Sequence, residues 1–339
     1  MLIRAVLESI VSYMPLIFIS LCPNFLFGID VLPGVLMLIW KFGIPLLPRI
    51  CNKKIFLVVC IFQSVICCMC LAGGYDNLCI LVLGIIVVPW LSLNYKSRYK
   101  VPKKNYIILV GMVLSSILLE NITYYALFYL LVFAVLIVDI SNQNLAMLSR
   151  SKLKYDWTQI EYMPLCNAFF HNLCYYSFII SLPVYLYNKS SFYMSCGGIV
   201  ALSWVLFFPR KKILNMLLKR NLSLEVCICS GYLICFITIG VISCLSNMVL
   251  IGIVMLIQGI GAGLAEGFFF QRNVIIFRKE YTFFWRLGGG VGCVINVLLN
   301  YFFSYKDILV IVSLLYLIMA MLNISLFMKK GINMNREKS

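Results

Sequence analysis

The chain is a succession of apolar runs, each about long enough to cross a bilayer and each cut off by a short polar or basic break. A helix needs about 20 apolar residues to cross about 30 Å of hydrocarbon. Inside that slab every backbone N–H and C=O must be satisfied within the protein, so only helical bundles and closed barrels are viable. The runs lack the period-two alternation of barrel strands, and helices remain. At 17–25 residues per helix the runs predict twelve spans. These are roughly 5–25, 28–48, 55–73, 76–95, 105–121, 123–140, 161–187, 190–209, 223–244, 247–269, 281–303 and 307–328. The predicted fold class is an all-α polytopic membrane protein embedded in a lipid bilayer. The first run lacks a small-residue cleavage site and reads as a retained helix.

Charge tests that count. Only 12% of the residues are charged and 63% are hydrophobic, whereas a soluble domain carries about a quarter charged residues. The net charge of +16 raises nucleic acid as a partner, but the basic residues sit in short clusters between apolar runs and do not alternate with aromatics. That is how cytosolic loops are marked. With a cytosolic N-terminus, 24 of the 28 Lys and Arg residues fall on the cytosolic side. Lys189 and Lys306 fall on the other side, and Lys41 and Arg286 lie within spans. Both termini are therefore expected in the cytosol. The 15 cysteines lie mostly inside apolar runs, where Cys packs as a small hydrophobe. Cys67, Cys68 and Cys70 have no partner motif that would make them a metal site. Nucleotide loops, metal clusters and nucleophile triads are missing from the sequence, so neither an enzyme nor a cofactor is expected. Asn121 and Asn188 head acceptor sequons that hug the membrane.

The longest internal connection, 141–160, is polar and cytosolic. Six spans, a link and six spans is the layout of major facilitator folds, whose halves are parallel repeats. The expected division is a six-helix half over 1–140, a linker over 141–160, and a second six-helix half with a short tail over 161–339. A monomer is expected.

Polar residues inside a bilayer are costly and are candidates for function. In span seven, Asn167, His171 and Tyr175 recur every four residues and share a face. His171 is the chain's one histidine. It lies about 15 Å below the cytosolic end of its span, near the midplane, at 1.5 Å per residue. It reads either as a proton carrier on a solute pathway or as a neutral imidazole satisfied by a nearby carbonyl. In span ten, Gly259, Gly263 and Gly267 form a small-residue stripe for close helix contact. Gln258, Ala262 and Glu266 form the adjacent stripe. In span eleven, Arg286, Gly289, Cys293, Asn296 and Asn300 share a face. Arg286 either snorkels to the cytosol or closes a gate with Glu266, since neither charge tolerates burial alone. In span two, Lys41 lies among Pro33, Pro45 and Pro48, which break the helix and place it against protein or water. It either snorkels, pairs with Glu8, or meets an anionic substrate.

Three stretches carry a resemblance. "DVLPGVLMLIWKFGIPLLP", with Asp30, Pro33, Lys41, Leu46, Leu47 and Pro48, resembles the second span of the battenin family. "EYMPLCNAFF" at 161–170 is similar to that family's opening of span seven, and "LIQGIGAGLAEGFFFQRNVI" to its glycine-rich tenth span. The resemblance implies a lysosomal or vacuolar membrane protein related to major facilitator transporters. It would be tied to luminal pH, basic amino-acid storage and glycerophosphodiester export. The expected function is secondary transport of a small polar or anionic solute, with protons as the candidate coupling ion. The alternatives are a generic major-facilitator transporter of nucleosides, sugars or peptides, and a transport-inactive scaffold.

Overall fold

The computed structural model describes residues 160–336 continuously, together with scattered residues between 62 and 121. The expectations placed on Glu8, Asp30 and Lys41 lie outside the described residues. Two compact units divide the chain: Met1–Leu153 with Pro183–Gly198, and Lys154–Leu182 with Ile199–Ser339.

In the first unit the described residues of two expected spans are helical: Phe62, Val65, Ile66, Met69 and Ala72, then Leu109, Val110, Val113, Leu114 and Ile117. Phe62, Val65 and Met69 are exposed at helical spacing, as are Val110, Val113 and Ile117. Exposed apolar residues at this spacing suit lipid contact.

From residue 160 to 336 the described chain is built of helices joined by short connections. The helices are α1 (Tyr162–Ser190), α2 (Tyr193–Phe207), α3 (Arg210–Lys219), α4 (Leu224–Cys244) and α5 (Met248–Ala265). A 3₁₀ turn (Glu266–Phe270) and a short α6 (Arg272–Ile276) lead to α7 (Arg278–Phe302) and α8 (Tyr305–Arg336). Among the described residues, five segments are long and apolar enough to cross a membrane: α1, α4, α5 with its 3₁₀ turn, α7, and α8 as far as Phe327. Each lies where the sequence placed a span. The span expected over 190–209 is present as α2, which at 15 residues covers about 22 Å. Pro209 stops it, because proline has no N–H to continue the ladder.

Side chains set the helix ends. Ser223 caps α4 by accepting from the Val226 amide at 3.2 Å. Asn247 caps α5 through the Val249 and Leu250 amides. Ser304 and Asp307 form a reciprocal capping box at the start of α8: the Ser304 amide and hydroxyl both donate to Asp307 Oδ2, and the Asp307 amide donates to Ser304 Oγ. Each cap satisfies amide groups that the first helical turn leaves free.

Inside the second unit, α4 is the central helix and packs along both α5 and α8. Glycines set how close the helices come. A Cβ on Gly231 of α4 would strike the Ala265 amide nitrogen and lie 2.7 Å from the Gly261 carbonyl oxygen. On α7, a Cβ on Gly288 or Gly292 would strike the α1 carbonyl oxygens of Phe169 and Leu173. Hydrogen bonds then lock the α1–α7 seam. Asn172 donates to the Trp285 carbonyl at 2.5 Å, and Ser177 to the Gly292 carbonyl at 3.1 Å.

Candidate functional site

Within the second unit, three ionisable side chains meet below the surface. Glu266, the first residue after α5, is 7% exposed. Its Oε2 lies 3.1 Å from Arg210 Nε, and its Oε1 lies 3.9 Å from His171 Nε2. The first contact is a close ion pair. The second is too long for a hydrogen bond but close enough for charge to act.

Arg210 reaches this point for a reason written in α3. The apolar residues Ile213, Leu214, Leu217 and Leu218 of "RKKILNMLLK" pack into a core with Cys227 and Leu264. At 100° per residue Arg210 falls on that inward face, while Lys211, Lys212 and Lys219 fall on the exposed one. Its guanidinium lies 4.3 Å from the centre of the Phe207 ring, a cation–π contact. Gly263, one turn before Glu266, makes room: a Cβ there would come within 2.8 Å of Arg210 Cβ.

His171 is 1% exposed. Tyr232, Tyr316 and Phe268 surround its ring edge to face, with centroids 6.0, 6.1 and 6.4 Å away. Its Nδ1 makes no hydrogen bond with protein. One turn earlier, Asn167 exchanges hydrogen bonds with Asn323 of α8, at 3.0 and 2.9 Å, and accepts one from Tyr232 Oη at 3.2 Å. Asn167 therefore ties α1 to α4 and α8 directly beside the histidine. Tyr175, the third member of the stripe, is half-buried and stacks edge to face on Tyr176.

The other expected site residues divide. Gln258 is buried, and its Nε2 makes no hydrogen bond with protein. Asn296 is fully buried in the α1–α7 seam, donating to the Ser177 carbonyl at 3.0 Å and to Ser181 Oγ at 2.6 Å, and accepting from Asn300. Its bonds make it a seam residue. Gly259 lets α2 approach: a Cβ there would strike the Ser203 carbonyl oxygen. Gly267 is looser, with Ile228 Cγ1 3.2 Å from such a Cβ. Arg286 is exposed on α7, and the charge facing Glu266 is Arg210 instead. Arg210 read as one more topology charge in a basic cluster. The amphipathic period of α3 was the signal that separates it from its neighbours. Tyr232, Tyr316 and Asn323 carried no such signal, because polar atoms on apolar helices reveal no partners.

No protein-family model matches the sequence, and no curated protein matches it. Solved structures do. The chain is similar to a POT family transporter crystallised with 5-aminolevulinic acid (TM-score 0.64, 14% identity, 97% of this chain and 95% of that one). It is also similar to a POT family transporter crystallised with a thioalcohol-conjugated peptide (TM-score 0.65, 13% identity, 97% and 95%). At these identities the likeness carries the fold. The chain has a major-facilitator-type fold and is an integral, multi-pass helical membrane protein.

Proposed function

We propose that this protein is a secondary transporter of a small polar solute, driven by protons that act on the Glu266–His171–Arg210 cluster. The observation that carries the reading is that cluster itself. A carboxylate, an imidazole and a guanidinium meet inside an apolar helical unit, where each isolated charge would be costly. Protonating His171 sets a second cation beside Glu266, in competition with Arg210. Protonating Glu266 releases both. The proton therefore selects whether α1 or α3 holds the end of α5, which gives a two-state element whose balance a proton and a solute can both shift.

The solved relatives bind a peptide conjugate and 5-aminolevulinic acid, so zwitterionic and peptide-like solutes come first. A battenin-like solute, a glycerophosphodiester or basic amino acid at a lysosomal or vacuolar membrane, is the second reading. It is favoured by the "EYMPLCNAFF" and glycine-rich stretches, which supply Asn167 and Glu266.

Purified protein in liposomes under an imposed pH gradient tests both. Dipeptides, amino acids, 5-aminolevulinic acid and glycerophosphodiesters are offered as radiolabelled solutes. Accumulation of one class is expected, rising with the imposed pH gradient, with that dependence flattened in His171→Gln. Folded protein that moves none of them, even in counterflow, means a scaffold and ends the reading.

A further inference from the structure

The cluster uses one ring nitrogen of His171, the one that faces Glu266. The other, Nδ1, is sealed from solvent and makes no hydrogen bond with protein; the same holds for Tyr316 Oη. Buried polar atoms of this kind are almost always satisfied by protein or by ordered water. Here two of them belong to rings standing edge to face with centroids 6.1 Å apart, and both residues are at most 1% exposed. Tyr232 sets the contrast. It lies at nearly the same distance from His171, 6.0 Å, but its hydroxyl is already given to Asn167. Only one of the two tyrosines has a free hydroxyl to offer the imidazole.

We propose that His171 Nδ1 and Tyr316 Oη hold one water molecule between them, and that this water relays protons to His171 on the side away from Glu266. A buried water needs at least two polar partners, and these two atoms supply them. In the relay, the water gives a proton to Nδ1 as it takes one from the Tyr316 hydroxyl, which is refilled from bulk water. One proton enters the imidazole and one leaves bulk. Tyr175, half-buried one turn beyond His171 on the same face of α1, lies within electrostatic reach of Tyr316 and continues the route outward. The other titratable groups around the pair are Glu266 on the 3₁₀ turn and Arg210 on α3. Among the described residues, Cys174 on α1 and Tyr232 and Cys235 on α4 also act on Tyr316. The relay deepens the proposed function and rests on it for its physiological meaning, but the water site is tested without transport.

The chain's one histidine makes that test direct. Full-length protein carrying ¹⁵N-histidine and no histidine tag, in lipid nanodiscs, gives a single imidazole signal. In wild type, a cross-peak between water and Nδ1 is expected. Tyr316→Phe should remove it and move the imidazole titration midpoint by about half a pH unit or more, the scale of one hydrogen bond to one protonation state. Tyr232→Phe should leave both unchanged. A wild-type spectrum without the water cross-peak overturns the proposal, whether or not Tyr316→Phe folds. So does an unchanged midpoint in Tyr316→Phe, or an equal shift in Tyr232→Phe. Failure of transport with the water signal intact would strike the proposed function alone.

Discussion

Arg210→Ala is the sharpest perturbation of the cluster. It strands Glu266, a carboxylate 7% exposed, without its 3.1 Å partner. At that separation, and an effective dielectric of about 20, the bare attraction is about 5 kcal/mol. The Arg210 side chain is 33% exposed, so water screens part of that. The lost contact with Phe207 adds about 0.5 kcal/mol. A net destabilisation of about 3 kcal/mol is expected, at the lower end for breaking a buried pair. With an unfolding entropy of about 2 cal/mol/K per residue, that lowers the melting temperature by about 4 °C for a chain of this size. Glu266→Gln, which removes the charge but keeps the shape, should cost about 1 kcal/mol. The double variant Arg210→Ala with Glu266→Gln should be milder than Arg210→Ala alone, because no charge is left stranded. Thermal unfolding of detergent-purified protein, followed with a thiol-reactive fluorophore, reads all three, since Cys174, Cys227, Cys229, Cys235 and Cys293 are buried free thiols. The reasoning fails if Arg210→Ala melts within a degree of wild type, or if the double variant is less stable than that single one.

Three further outcomes are expected. Gly259→Leu should sharply reduce the yield of folded protein on size-exclusion chromatography, because any Cβ there meets the Ser203 carbonyl oxygen; a normal yield would show that α2 can retreat cheaply. Asn296→Ala removes three hydrogen bonds, those donated to Ser177 and Ser181 and the one accepted from Asn300. It should cost about 2 kcal/mol of stability while leaving solute preference in the liposome assay unchanged, and a changed preference would move Asn296 from the seam to the pathway. Lys41→Ala should abolish uptake with folding intact, and Lys41→Arg should keep part of it, since Lys binds anions as a point charge; near-normal uptake in both would mean that Lys41 only snorkels.

Within the described residues, the helices were legible in the sequence. Apolar run length determined the helices, because a bilayer accepts few other ways of satisfying a backbone. The runs over 223–244 and 281–303 appear as Leu224–Cys244 and Arg278–Phe302. The small-residue stripe was legible too, since glycine at every fourth position serves close contact, and Gly259 and Gly263 do lie against α2 and α3.

Partnership was decided only by the tertiary structure. From the sequence, Arg286 is the cation set opposite Glu266, and Arg210 is left among the topology charges of a basic cluster. Packing the apolar face of α3 onto Leu264 and Cys227 turned Arg210 inward, while Arg286 stayed exposed on α7. Periodicity placed Asn167 and His171 on one face but could not say what that face would meet. Asn323 lies 156 residues away from Asn167 in the chain, and only the packing of α4 against α8 brings Tyr232 and Tyr316 around the imidazole. Local pattern determines which residues form a helix and which way its faces point. Which charge ends up beside which carboxylate depends on contacts between distant segments, and in a sequence with so few polar residues no local signal encodes them.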